Sequence, residues 1–218
     1  MLSAAPNAAE RDAVRNTWAN GRKNVFFVVA GPWENIEQEY NHYNDIMWVD
    51  TEETYMSERG GLTVKTFAFL GIAHDKIRPL NPHMTHFFKT DVDVYVNLVA
   101  LEHTLATETN DDSNTQIDFW GNCVEHSEPR RWSTSKWFVN YDTYPFVYFP
   151  PYCVGGGYAV SAKFLDCIAD KRCSLEWDRN VKPTMKGKIY QHDMKTPQEM
   201  WDHHKSAKKI NHDLYHGH

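Results

Sequence analysis

No apolar run in this 218-residue chain reaches the roughly 18 residues that a membrane-spanning helix needs. The longest clean runs are short, such as Val25–Ala30. The first ten residues lack the basic stretch and apolar core of a signal peptide. Cysteine is scarce: Cys123, Cys153, Cys167 and Cys173 are the four, and none belongs to a CxxC pair, which argues against a zinc site. Four cysteines permit two disulfides in an oxidising compartment, with three possible connectivities. There is no Asn-x-Ser/Thr sequon. Glycine (11) and proline (10) are too few for a collagenous or low-complexity chain. Basic residues are in deficit, 23 against 29 acidic, for a net charge of −6, which argues against a general nucleic-acid face.

What is present is globular. Apolar residues make up 41% and charged residues 24%, enough to build one packed domain. Aromatics reach 14%, with eight Trp, which suits a thick core or a cleft for flat ligands and sugars.

Alternating elements follow along the chain. Spacing predicts a helix over Ala8–Trp18, then a strand buried on both faces over Val25–Ala30, stopped by Gly31-Pro32. A helix over Ile36–Tyr43, a strand over Ile46–Val49 and a helix over Leu62–Ile72 come next. Thr85–Lys89 reads as a strand and Asn97–Thr107 as a helix. Strand-like pieces lie at Ile117–Trp120 and Trp137–Val139. Pro150-Pro151-Tyr152 and Gly155-Gly156-Gly157 are expected to bracket a tight loop, with a helix over Tyr158–Ile168. The five His from His203 onward read as a solvated tail. The alternation predicts an α/β sheet with helices on both faces and a ligand beyond the carboxyl ends of its strands.

The chemically informative tetrapeptide is Thr90-Asp91-Val92-Asp93, just past a strand. Carboxylates at i and i+2 of an extended segment point the same way. Such a pair can hold one hard divalent cation, Mg²⁺ or Mn²⁺, which bridges nucleotide phosphates. A bare pair of this kind is also common in ordinary solvated turns.

The surrounding segments give the pair a context. Arg11-Asp12-Ala13-Val14-Arg15-Asn16-Thr17-Trp18, Asn44-Asp45-Ile46, Leu62-Thr63-Val64-Lys65-Thr66, Lys89–Asn97, Lys136-Trp137 and Tyr148–Ser161 occur in this order. Together they resemble glycosyltransferase family 31, the inverting β-1,3-galactosyltransferase and N-acetylglucosaminyltransferase group. The resemblance implies a single GT-A-type, Rossmann-like mixed sheet over residues 1–218. It implies a UDP-sugar donor, a glycan acceptor on protein or lipid, and inverting transfer of a hexose, galactose foremost, in β-1,3 linkage. It places members in the Golgi lumen as type II membrane proteins; the anchor is expected to lie outside this chain. Mn²⁺ would be held by Asp93 and by His192, which stands before Lys195-Thr196-Pro197-Gln198-Glu199-Met200-Trp201. Asp91 would lie nearer the ribose. Arg11, Lys65 and Gly156 would meet the donor, whereas Arg15 and Trp18 would pack structurally. Trp132, Trp137, Tyr148 and Tyr152 could line an acceptor groove, but each taken separately reads better as core. Cys153 occupies a position that forms a disulfide in many members; Cys167 and Cys173 are close enough in sequence to pair, and Cys123 with Cys153 would complete the set.

Two departures stand out. The family's apolar first strand is reduced to Met1-Leu2, so it is expected to be missing, as in a chain truncated at its N-terminus. The family's Glu-Asp-Val segment, whose Asp is the general base, is absent between Ser161 and His192, and that interval is short. The nearest substitute is Asp178, beside Glu176. The alternative implied by these losses is a catalytically silent relative that binds nucleotide or a partner.

Overall fold

The computed structural model describes residues 1–54, 61–108, 118–169, 181–183, 190–191 and 196–205. Its strands are β1 (Leu2–Ala4), β2 (Phe27–Ala30), β3 (Ile46–Val49), β4 (His86–Thr90), β5 (Tyr95–Val96), β6 (Phe119–Val124), β7 (Tyr152–Ser161), β8 (Val181–Pro183) and β9 (Tyr190–Gln191). Its helices are α1 (Ala8–Asn16), α2 (Glu37–Tyr43), α3 (Gly61–Ile72), α4 (Leu98–Glu108) and α5 (Ala162–Ala169). A further helical run covers 197–205.

The strands form a parallel sheet β1-β2-β3, a mixed sheet β4-β7-β6-β8 and a two-stranded pair β5-β9. One bridge stitches the first two sheets: Leu2 pairs in parallel with Asp91, and the Val92 N–H donates to the Leu2 carbonyl at 3.0 Å. The continuous order is therefore β3-β2-β1, then the end of β4, then β7, β6 and β8. The expectation that the first strand is missing needs correction. Three residues suffice for β1 because both of its edges are paired, with β2 on one side and Asp91 on the other.

Residues on neighbouring positions of one strand point to opposite faces, and the core divides accordingly. Phe88 and Ala159 pack with Val14, Leu101 and Met200, beneath α1, α4 and the run at 197–205. Their neighbours Phe87 and Val160 pack with Ala73, Leu165 and Phe69, beneath α3 and α5. Helices thus cover both faces, as the alternation of elements predicts. Every residue of β2 is buried, as its unbroken apolar run requires.

Four local expectations are corrected. The glycine run 155–157 is not a loop, and Tyr158–Ser161 is not helical; both lie inside β7. Sheet pairing on both edges, to β4 and to β6, overrides the helical spacing there. The helix begins only at Ala162, where the Ser161 hydroxyl accepts the Phe164 N–H at 2.9 Å and caps it. Trp137–Val139 is not a strand, having only the isolated Arg130–Phe138 bridge. His203 and His204 are not a solvated tail: they pack on Tyr95, whose hydroxyl lies 3.0 Å from His204 Nδ1.

Cys123 and Cys153 sit opposite each other in the β6–β7 register and form a disulfide. Cys167 is disulfide-bonded too; its expected partner, Cys173, lies outside the described residues. Titration with a thiol reagent in denaturant without reductant is expected to find no free thiol. Four free thiols would contradict the pairing. Replacing Cys123 and Cys153 by Ser releases a closure of 30 residues and is expected to cost roughly 3–4 kcal/mol in a denaturant melt.

Candidate active site

Where β4 ends, its side chains fasten the chain to β7. The Lys89 ammonium, nearly fully buried, donates to the Gly155 carbonyl and, at 2.6 Å, to Asp91 Oδ1. The Thr90 hydroxyl donates to the Gly156 carbonyl at 2.9 Å. Gly156 is itself buried.

Val92 then turns into the core, while Asp91 and Asp93 on either side stay partly exposed. An apolar residue between the two acids is thus what separates them from the interior. After the turn, β5 pairs with β9 so that Tyr95 faces Gln191. Gln191 directly precedes His192 in the chain, and Tyr95 lies two residues past Asp93. The pairing therefore sets Tyr190–Gln191 against the short strand that follows the acidic motif. His192 and Asp178 themselves lie outside the described residues. Among the described residues, no three His, Cys, Asp or Glu side chains form a group fit for a metal. Asp91 and Asp93 supply two hard oxygen donors, the set that Mg²⁺ and Mn²⁺ prefer.

Arg11 and Lys65 serve a different place. Arg11 is fully buried and donates to Ser3 Oγ at 2.9 Å, the Ala4 carbonyl at 2.6 Å and the Ala5 carbonyl at 3.1 Å. Its remaining N–H groups grip the Glu39 carboxylate. Lys65 donates to the Ser3 carbonyl at 3.1 Å and to both oxygens of Glu53, at 2.6 and 2.8 Å. Both cations thus converge on Ser3–Ala5 and hold the end of β1. Burial pushes the Glu39 carboxyl up, but hydrogen bonds from Arg11 and Arg15 outweigh it and hold Glu39 below the usual range. Arg15 is structural, as expected: it pairs with Asp12, Glu39 and Asp45 and lies over the rings of Phe27 and Tyr43. Trp18 is core.

Sequence reading missed the cavity beside this knot. It has a volume of about 860 Å³ and opens beyond the carboxyl ends of β2 and β3, lined among others by Gly31, Trp33, Trp48, Asp50 and Glu53. Trp33 and Trp48 meet edge to face at 5.3 Å, and the Trp48 indole donates to the Gly31 carbonyl at 2.9 Å. Gly31 adopts φ +107°, a conformation that favours glycine, at the point where the chain leaves β2. The usable signal was the rule that ligands sit past strand carboxyl ends, applied to Gly31-Pro32-Trp33 and to Asp50.

The preference for core packing of the aromatics is overturned. Trp132 (54% exposed), Trp137 (56%), Tyr148 and Tyr152 all stand at the surface.

The sequence model of the family described as Galactosyltransferase matches residues 9–177. Beta-1,3-galactosyltransferase 5 of Homo sapiens is 30% identical over 172 residues, which is 74% of this chain and 52% of that protein. Lactosylceramide 1,3-N-acetyl-beta-D-glucosaminyltransferase A of Xenopus laevis is 28% identical over 183 residues, 74% of this chain and 45% of that protein. The chain thus spans about half the length of the curated relatives it matches. A glycosyltransferase involved in glycosylation of the major capsid of PBCV-1 aligns in structure over 83% of this chain and 99% of its own, at a TM-score of 0.33 and 14% identity. No helix among the described residues is long and apolar enough to cross a membrane. On the extent of the family match, the chain belongs to the galactosyltransferase family, glycosyltransferase family 31, alongside the β-1,3-galactosyl- and N-acetylhexosaminyltransferases.

Proposed function

We propose that residues 1–218 form one GT-A-like domain of an inverting β-1,3-hexosyltransferase, which moves galactose from UDP-galactose to a glycan hydroxyl in the Golgi lumen. The observation that carries this reading is the acidic pair Asp91/Asp93 at the carboxyl end of β4, directly beside β1, with a carboxyl-end cavity beyond β2.

The cavity suits the nucleoside end of the donor. Its indole rings offer apolar faces for the base, and Asp50 and Glu53 are acceptors for ribose hydroxyls. Arg11 and Lys65 act there by holding Ser3–Ala5 in place, and Gly156 borders the sugar from β7. Asp93, with His192, would hold Mn²⁺, while Asp91, with its near oxygen on Lys89, would lie nearer the ribose and the waters around the metal. When bound, that cation offsets the charge that develops on the departing diphosphate. The acceptor oxygen attacks the anomeric carbon from the side opposite UDP, forming the new C–O bond as the bond to phosphate breaks. A carboxylate must take the hydroxyl proton, and Asp178 is the candidate base.

The missing Glu-Asp-Val segment favours a second reading, a silent relative that keeps nucleotide binding. Incubation with UDP-galactose, Mn²⁺ and galactoside or N-acetylglucosaminide acceptors separates the two. Transfer to a β-1,3 product supports the enzyme; UDP binding without turnover supports the silent relative.

A further inference from the structure

Asp91 and Asp93 stand two residues apart, yet the fold treats them differently. Asp91 is fixed both in its backbone and in its side chain. It bridges in parallel to Leu2, and the next amide, that of Val92, donates to the Leu2 carbonyl at 3.0 Å. Its carboxylate meets the Lys89 ammonium through Oδ1 at 2.6 Å. Asp93 lies past this bridge, in the turn that leads to β5.

Lys89 imposes the difference. Its side chain is 5% exposed, whereas that of Asp91 is 31% exposed. A buried ammonium needs a countercharge to offset the hydration it gives up. Residues i and i+2 of an extended segment share a face, so the carboxylate of Asp91 is in reach and supplies that charge. The ammonium also donates to the Gly155 carbonyl and lies 5.9 Å from the centre of the Tyr158 ring, and both of these are neutral. Through Gly155 the same ammonium ties Asp91 to β7, the strand that carries Gly156.

For a divalent cation this pairing matters in two ways. One oxygen of Asp91 is already engaged, so the carboxylate cannot chelate with both. The ammonium beside it also repels a second positive charge placed on the remaining oxygen. Asp91 is thereby left as a rigid hydrogen-bond acceptor, suited to a hydroxyl or to a metal-bound water.

We propose that Lys89 is a positioning residue that divides the two acids between tasks: it holds Asp91 as an acceptor for the nucleotide and leaves the cation to Asp93. This deepens the transferase reading and rests on it for the word nucleotide, but cation binding is measurable without any donor.

The test compares wild type with K89M, K89R, D91N, D93N and K89M/D91N. Mn²⁺ alone is titrated by electron paramagnetic resonance, and UDP is then titrated by calorimetry at saturating Mn²⁺. K89M removes the charge and keeps an unbranched apolar chain. It is expected to bind Mn²⁺ about three- to tenfold more tightly, because a nearby positive charge is gone and Asp91 can join the ion. It is expected to bind UDP about tenfold more weakly, because Asp91 is no longer held in place. Damage to the fold would weaken both, so the opposite signs identify positioning. K89R, which keeps the charge, is expected to bind Mn²⁺ as wild type does. In K89M/D91N the gain in Mn²⁺ affinity is expected to vanish, since it runs through Asp91. D91N, with Lys89 intact, is expected to keep most of its Mn²⁺ affinity and D93N to lose it, a comparison that stands even where K89M fails to fold. Mn²⁺ results of this kind without UDP binding by wild type would sustain the division of the acids and remove the donor reading. UDP binding by wild type with unchanged Mn²⁺ affinity in K89M would overturn the role of Lys89 alone. The proposal also falls if wild type binds no Mn²⁺, if D91N loses the ion as fully as D93N, or if the gain persists in K89M/D91N.

Discussion

Asp93→Ala is expected to lower kcat/KM for sugar transfer by about 10³-fold, the scale on which a metal clamp stabilises a leaving diphosphate. Asp93 is partly exposed and lies in a turn, so removing its carboxylate takes nothing from the core. The melting temperature should therefore stay within a few degrees of wild type. Val92, between the two acids, provides the control. It is buried in the main core, so Val92→Asp, which would create an unbroken acidic run, should cost stability through an unpaired buried charge. Loss of transfer in Asp93→Ala with a normal melt assigns the effect to chemistry. Unchanged transfer would remove Asp93 from the site.

Arg11→Met is expected to destabilise the protein by about 3–5 kcal/mol, read from denaturant melts, because each buried acceptor left unsatisfied costs roughly 1–3 kcal/mol. The side chain is fully buried, and the change strands the Ala4 and Ala5 carbonyls and the Ser3 hydroxyl it now satisfies. Glu39 keeps its second partner, Arg15, so the cost comes from β1 and not from an orphaned carboxylate. Because β1 is only three residues long, it depends on such clamps more than a longer strand would. The ion pair also sets a pH dependence. Glu39 is held below its unfolded value, so its contribution is present above the ordinary carboxylate range and fades as pH falls through the folded value. Arg11→Met should flatten that acid limb. A variant as stable as wild type that loses only UDP binding would return Arg11 to the donor surface.

Much of the frame was legible because it is local. The run at Phe27–Ala30 is apolar throughout, and β3 occupies the four residues its pattern marks. Helices α1 to α4 start and stop close to where spacing and Gly-Pro punctuation place them. What failed depends on partners far away in sequence. Tyr158–Ser161 has helical spacing, but its residues pair with His86–Lys89 on one edge and with Phe119–Gly121 on the other. Only the second pairing partner makes a glycine-led segment a central strand. Met1-Leu2 looked too short for a strand because nothing nearby reveals that Phe26, Val28 and Asp91 would complete it.

The candidate site stood out in the sequence by its acids more than by its cations. Asp91 and Asp93 announce themselves by spacing after a strand. For Arg11 and Lys65, residue type suits phosphate and a buried carbonyl cluster equally, and only the fold reveals Ser3–Ala5 as their partner. The same ambiguity affected the aromatics. Composition counts Trp132 and Trp137 but does not reveal that both stand at the surface.

The most direct measurement is a calorimetric titration of UDP into the chain with Mn²⁺ and again with chelator. Binding that requires Mn²⁺ and disappears in Asp93→Ala is the predicted result. UDP that binds with equal affinity without the cation, or a wild-type chain that takes up no UDP when Mn²⁺ is supplied, would contradict it.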